Sequence, residues 1–171
     1  MTEPTIRRAT LADAATLSRL GAETFTDTFS HLYPPEDLAV FLAESHSVAA
    51  YRGYLSDPAY GVWLMEAEGE PIGYGLAGPS SLPHPDVTPA CGELKRVYMR
   101  KAWQGGGRGG RLLDVALQWL EAEKTGSLWI GVWSGNEGAQ KLYAKKGFEK
   151  AGEYRFKVGG TLDHEFIMRR A

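Results

Sequence analysis

The 171-residue sequence has little cysteine, no long apolar run and no excess of basic residues. Its single cysteine, Cys91, excludes an internal disulfide and a zinc site built from several cysteines. No stretch is long and apolar enough to predict a membrane span, and residues 1–12 lack the apolar segment of a signal peptide. We therefore expect a cytoplasmic protein without a membrane partner.

The charge balance argues against nucleic-acid binding, because 19 basic residues against 21 acidic ones leave a net charge of −2. The charges are unevenly distributed: residues 1–90 have four basic and twelve acidic side chains, and residues 91–171 have fifteen and nine. This asymmetry predicts two ligands of opposite charge, although charges spread by chance over solvated faces give the same pattern. The four histidines have no metal-ligand spacing, so no metal is expected.

Hydrophobic residues make up 43% of the chain, enough for a packed core, and the length predicts a single domain over residues 1–171. Alternating or continuous apolar runs predict strands at 5–9, 61–67, 71–77, 93–99, 128–133, 149–158 and 162–169. Helical spacing predicts helices after Asp13 and Pro34, around 112–120 and at 138–146. The class is therefore a mixed α/β sheet with helices packed on it.

Residues 104–110 read Gln-Gly-Gly-Gly-Arg-Gly-Gly and lie between a predicted strand and a predicted helix. In such a loop successive backbone N–H groups can point inward, and the following helix adds its positive N-terminal end. The segment therefore predicts a phosphate or pyrophosphate site, with a flexible turn as the alternative.

Two familiar phosphate motifs fit the loop poorly. A Walker loop requires Lys and Ser or Thr after its last glycine, but Arg111 and Leu112 follow Gly110. The spacing of Gly105, Gly107 and Gly110 formally satisfies the dinucleotide fingerprint. The next predicted strand nevertheless ends without the acidic residue that would hold a ribose.

A third pattern carries a resemblance. Residues 93–99, followed by Gln104, Gly107 and Gly109, resemble motif A of the GNAT acetyltransferase superfamily. Residues 128–148 resemble its motif B, through the run 128–133, Asn136, Ala139, Leu142-Tyr143 and Lys146-Gly147-Phe148. The resemblance covers nearly the whole chain. It implies one mixed, mostly antiparallel sheet of six or seven strands, splayed between its two central strands and flanked by about four helices.

The same resemblance implies acetyl-coenzyme A (acetyl-CoA) as cosubstrate and a primary amine, of a small molecule or a peptide, as acceptor. The pyrophosphate would lie on the glycine loop, and the pantetheine amides would pair with the strand backbone. Asn136 matches a common pantetheine contact, although a helix N-cap explains it equally well. The expected cofactor residues are Val97, Tyr98, Met99, Gln104, Gly105, Gly106, Gly107, Arg108, Gly109, Gly110, Asn136 and Lys145.

Two residues are expected to carry the proton transfers. A protonated alkylamine with a pKa near ~10 must lose a proton before it attacks a thioester. Glu93 matches the position where many GNAT members place a carboxylate that acts through water, and its alternative is a solvated strand end. Tyr143 matches the family's general-acid tyrosine, and its alternative is an ordinary core aromatic.

The acceptor amine is the least determined feature. Residues 25–42, 128–133 and 163–168 resemble the bacterial spermidine/spermine acetyltransferase branch, and acidic and aromatic residues of the first half suit a polycation. The expected substrate residues are Phe29, Tyr33, Glu36 and Asp37. The alternatives are the amine of a peptide or protein N-terminus, an amino acid or a drug-like amine, and a non-catalytic module that senses coenzyme A (CoA). Dimers are common in the family, so a homodimer is a further partner to test.

Overall fold

Seven strands form one sheet in the computed structural model, which describes residues 3–171. The strands are β1 (Thr5–Arg8), β2 (Gly61–Ala67), β3 (Glu70–Pro79), β4 (Gly92–Met99), β5 (Leu128–Trp133), β6 (Glu149–Val158) and β7 (Thr161–Arg170). The spatial order is β1-β2-β3-β4-β5-β7-β6. The expected mixed, mostly antiparallel sheet is confirmed.

The α-helices are α1 (Ala14–Phe29), α2 (Pro35–Ser45), α3 (Val48–Ser56), α4 (Arg108–Glu123) and α5 (Glu137–Lys145). Short 3-10 helices lie at Leu11–Asp13, Ser30–Leu32 and Lys101–Trp103. The segment after Pro34, expected as one helical region, contains two helices. Ser47 separates them because its hydroxyl accepts a hydrogen bond from the Ala50 N–H and caps α3. Within residues 3–171, no helix is long and apolar enough to cross a membrane.

The sheet opens between β4 and β5. These two strands pair in parallel over three residues, from Gly92 with Leu128 to Leu94 with Ile130. Beyond that point no β4–β5 pairs form among the described residues, whereas β3 continues to pair with β4 as far as Met99 and β7 with β5 as far as Trp133. The expected splay between the central strands is therefore present.

Both faces of the sheet are covered by apolar cores. On one face, leucines of α4 such as Leu112 and Leu113 pack against Leu94 and Ile130. On the other face, residues of α1 and α3 pack against alternate side chains of β2 and β3, including Leu64 and Leu76. Because alternate strand residues point to opposite faces, β2 and β3 contribute to both cores.

A third cluster, which we call the aromatic cluster, lies on the same face as α1. It consists of Phe25, Phe29, Tyr33, Phe41 and Val158, with Tyr98, Trp133 and Phe156 packed against it. The cluster joins the end of α1, the helix α2 and the strand β6. It therefore covers the splayed ends of β4 and β5 from the face opposite to α4.

Candidate active site

The gap between β4 and β5 continues into a cavity of about 490 Å³. Residues from both faces of the sheet line it. The α4 side of the cavity includes Val97, Met99, Gln104, Gly109, Asn136 and Tyr143. The aromatic side includes Phe25, Phe29, Tyr33, Tyr98, Trp133, Asp163 and Glu165. A ligand that passes through the gap can therefore reach both chemical environments.

The backbone of β4 faces this gap along its second half. Residues Val97–Met99 pair with β3 on one side, and β5 has already turned away on the other. Backbone N–H and C=O groups at such an edge can pair with an extended ligand as an added strand would. Val97, Tyr98 and Met99, which the sequence analysis names as cofactor residues, all line the cavity.

The glycine loop at the start of α4 has a backbone that other residues adopt with difficulty. Gly105, Gly106 and Gly107 have φ angles of 90°, 65° and 78°, in the left-handed region. Gly107 is the N-cap residue of α4, and no side chain caps this helix. The N–H groups of the first turn, which include those of Gly109 and Gly110, therefore have no intrahelical partner. This arrangement suits an anionic group.

The side chain of Arg108 supports the loop. Its guanidinium lies 5.2 Å from the centre of the Trp103 ring and donates hydrogen bonds to the Gly105 carbonyl (3.2 Å) and the Trp103 carbonyl (3.4 Å). Gln104 and Gly109 line the cavity, whereas Gly105, Gly106, Gly107, Arg108 and Gly110 lie outside its lining. An anion on these residues would therefore sit at the mouth of the cavity.

Three sequence-predicted residues lie away from the cavity. Lys145 is exposed at the last residue of α5. Glu36 is exposed in the first turn of α2. The Asp37 carboxylate accepts hydrogen bonds from the Gly160 N–H (2.8 Å) and the Thr161 hydroxyl, which lower its pKa. Asp37 thus attaches α2 to the β6–β7 turn, and a substrate contact by Glu36 or Asp37 is not supported.

Asn136 performs the capping role that the sequence allowed. Its side-chain oxygen accepts a hydrogen bond from the Ala139 N–H (3.1 Å) at the start of α5. The residue also lines the cavity, so the cap orients α5 with one end at the gap. This orientation brings Tyr143, two turns along the helix, to the α4 side of the cavity.

Tyr143 is a phenol that retains its proton at neutral pH. Loss of solvent around the ring, followed by the negative charge of Glu165, raises its pKa to about 12. Because the phenol stays protonated, its hydroxyl is available as a donor to a leaving group in the cavity.

Glu93 lines the cavity at the beginning of β4 but is already engaged. It is 8% exposed, so the alternative of a solvated strand end is wrong. Its Oε1 accepts hydrogen bonds from the Ser81 N–H (3.0 Å) and the Lys95 Nζ (3.3 Å). One oxygen of the Glu93 carboxylate is therefore already hydrogen-bonded within the protein.

Two acidic residues of β7 were not among the predicted site residues. Asp163 and Glu165 line the aromatic side, and the Tyr33 hydroxyl donates a hydrogen bond to Asp163. Burial, followed by the charge of Asp163, raises the pKa of Glu165 to about 8. Acidic residues two apart on a strand share a face, which is a sequence signal for such a pair. Which face that is depends on the tertiary structure.

Comparison with known protein families gives one clear match. A family model described as the Acetyltransferase (GNAT) family matches residues 22–148. An uncharacterised N-acetyltransferase from the pepI 3′ region of Lactobacillus delbrueckii subsp. lactis is 30% identical over 152 residues, covering 89% of this chain and 88% of that protein. An uncharacterised N-acetyltransferase of Mycobacterium tuberculosis is 29% identical over 162 residues, covering 94% and 98%.

Solved structures show the same fold. The PaiA N-acetyltransferase of Thermoplasma acidophilum in complex with coenzyme A has a TM-score of 0.78 at 18% identity, with 99% of each chain covered. A ribosomal-protein-alanine N-acetyltransferase of Brucella melitensis has a TM-score of 0.68 at 25% identity, covering 97% of this chain and 98% of that one. None of these four names specifies a polyamine, so that acceptor stays a prediction.

Proposed function

Because the chain belongs to the GNAT acetyltransferase family, we propose that it transfers the acetyl group of acetyl-CoA directly to a primary amine in a ternary complex. The observation that carries this proposal is the gap between β4 and β5. It has an uncapped, glycine-rich helix start at its mouth and Tyr143 within it. Each feature suits one part of the thioester cosubstrate.

The residues on the α4 side fit CoA. The first turn of α4 offers N–H groups to the pyrophosphate, and no side chain competes for them. A Cβ built at Gly105 or Gly107 meets no atom within 4 Å, so the loop is open toward solvent and accessible to a bulky anion. The unpaired edge of Val97–Met99 would hold the pantetheine amides, and a backbone N–H there would polarise the thioester carbonyl.

Tyr143 is proposed as the general acid. Its hydroxyl would protonate the CoA thiolate as the carbon–sulfur bond breaks, which lowers the barrier to departure. Its raised pKa keeps the proton on the phenol until the thiolate forms. Glu93, whose carboxylate accepts hydrogen bonds from the Ser81 N–H and from Lys95, would contribute through its charge or through a bound water.

The acceptor that the aromatic side supports best is a polyamine. Asp163, Glu165 and Glu93 contribute carboxylates, and Phe29 and Trp133 contribute rings that pack against methylenes or ammonium groups. A protein N-terminus is the second candidate, because the name of one structural neighbour specifies ribosomal-protein alanine. The sensor alternative requires the same CoA contacts but no turnover.

An amine panel tests the proposal. Acetyl-CoA is incubated with spermidine, spermine, n-butylamine and an alanine-initiated tripeptide, and thiol release is measured. We expect turnover with at least one amine and the highest kcat/KM with spermidine or spermine. Reaction of the tripeptide alone would eliminate the polyamine assignment, and CoA binding without any turnover would favour the sensor.

A further inference from the structure

The position of Glu165 makes it unusual among the acidic side chains of the cavity. Strand pairing places it opposite Trp133 of β5 and Tyr154 of β6, on the aromatic side of the sheet. Its Oε2 is buried and has no hydrogen-bond partner within residues 3–171. Buried carboxylate oxygens are normally satisfied, so a free one that lines a cavity is available to a ligand N–H group.

The negative charge of Glu165 affects several tyrosines that line the cavity. Its charge raises the pKa values of tyrosines on four different segments: Tyr33, Tyr98, Tyr143 and Tyr154. The charge of Glu93 instead raises the pKa values of Tyr60 and Tyr154. Glu165 is therefore the carboxylate whose field reaches Tyr143, the proposed proton donor to sulfur.

The two glutamates also differ in their hydrogen-bond partners. The carboxylate of Glu93 already accepts hydrogen bonds from Lys95 and from the Ser81 N–H. Glu165 has no such donor, and its pKa of about 8 lies much closer to that of an alkylammonium group than a normal carboxyl does. A base whose pKa approaches that of the proton source and the working pH is the more efficient one.

We propose that Glu165 accepts the proton of the bound ammonium group and that Asp163, fixed by Tyr33, helps to hold that cation. This inference rests on the proposed function. One ammonium proton moves to Glu165, and the freed nitrogen lone pair attacks the acetyl carbonyl carbon. The nitrogen–carbon bond forms and the carbon–sulfur bond breaks. Tyr143 protonates the thiolate, and the second nitrogen proton restores the Tyr143 hydroxyl. The proton on Glu165 then passes to solvent.

The pH dependence of kcat/KM tests this assignment on Glu165→Gln and Glu93→Gln. The acceptor is whichever of spermidine, n-butylamine and the alanine-initiated tripeptide the wild type prefers. The kcat/KM of the wild type is expected to rise with pH and to level off above about pH 8. Glu165→Gln is expected to lose about 10²-fold at pH 7.5 and to recover continuously toward pH 10, where the amine deprotonates in solution.

Glu153→Gln is the matched control, because Glu153 is an exposed carboxylate on the neighbouring strand and pairs with Lys150 and His164. It should retain the wild-type profile. A loss of the plateau in Glu93→Gln but not in Glu165→Gln would overturn the assignment. So would a pH-independent loss, or a change in KM alone, in Glu165→Gln. If that variant does not fold, Glu165→Asp keeps the carboxylate and should keep the plateau at a rate lowered about tenfold.

A direct titration separates this inference from the proposed function. Carboxyl carbons are labelled in glutamate, and the Glu165 signal is identified by its loss in Glu165→Gln. We expect a titration midpoint near pH 8, and a midpoint near the ordinary glutamate value would overturn the assignment without any assay of activity. If no amine in the panel is acetylated while this midpoint is high, the proposed function fails and Glu165 remains a cation-binding base.

Discussion

At the scale of single residues, burial determines the chemistry of the cavity. Tyr143 and Glu165 have ordinary side chains, yet loss of solvent is the largest cause of the raised pKa of each. Glu93 lies in the same cavity, but Lys95 and the Ser81 N–H satisfy one of its oxygens. The same residue type is thus hydrogen-bonded within the protein on β4 and has a raised pKa on β7.

Replacement of Tyr143 by Phe removes the hydroxyl and keeps the ring. We expect kcat to fall about 10²-fold or more, because the thiolate must leave without a proton donor. The dissociation constant of CoA, measured by calorimetry, should remain within about twofold of wild type since the packing of the ring is retained. Unchanged turnover would show that the tyrosine is a core aromatic.

The pH dependence of stability reports on Glu165 independently of catalysis. The folded-state pKa of about 8 lies above the unfolded value, so the folded protein holds a proton that the unfolded chain releases. The contribution of Glu165 to wild-type stability therefore falls as pH rises from about 4.5 to 8. Glu165→Gln lacks this loss, and its Tm should exceed that of wild type by several degrees at pH 9 and match it at pH 4. Parallel curves for the two proteins would contradict the burial argument.

At the scale of elements, the loops that precede α4 and α5 fix the positions of these two helices beside the gap. Glycines with left-handed backbone angles precede α4, which begins without a capping side chain. Asn136 caps the start of α5. Asp37 performs a third task by attaching α2 to the β6–β7 turn, which holds Phe41 in the aromatic cluster. Each of these local features fixes the position of a helix, and that helix contributes side chains or N–H groups near the cavity.

Gly107→Ala tests the glycine loop. The φ of 78° strains an alanine, so the loop should shift and its N–H groups lose their alignment. We expect CoA to bind about tenfold more weakly, as measured by calorimetry. Gly53→Ala is the control: Gly53 is an exposed helical residue of α3 with nothing within 4 Å of an added Cβ. It should stabilise the protein slightly and leave CoA affinity unchanged.

At the scale of the whole molecule, the sheet consists of two halves that separate at β4 and β5. Leucines of α4 pack across both strands on one face, and the aromatic cluster closes the other. A ligand in the gap would contact both halves of the sheet, and it would occupy the space where β4 and β5 no longer pair with each other. Binding of a ligand at this position should therefore increase the free energy of unfolding of the whole protein.

Thermal unfolding checks this expectation. CoA at about 100 times its dissociation constant should stabilise the folded state by about 2.7 kcal/mol and raise Tm by about 5–10 °C. Tyr143→Phe should show the same shift, because it retains the CoA contacts. Absence of a shift in wild type would contradict both the gap as the CoA site and the family-based proposal.

Much of the fold could be predicted from local patterns. The leucines at 112, 113, 117 and 120 repeat at helical spacing, and they all lie in the core beneath α4. The apolar run 128–133 is a buried strand, as continuous hydrophobicity indicates. Gly105, Gly106 and Gly107 all adopt left-handed backbone angles. Glycine is the residue that adopts such angles most easily, which explains why the loop is visible in the sequence as a glycine cluster.

The sequence by itself determined the elements, the phosphate-type loop and the family resemblance, because each depends on residues close together in the chain. The tertiary structure alone decided the surroundings of each charge. Asp37 and Glu165 are both acidic residues in regular elements, but Asp37 meets the Gly160 N–H 123 residues away and Glu165 meets a cavity. Solvation and hydrogen bonding set the reactivity of a carboxyl group, and both arise from contacts between distant segments.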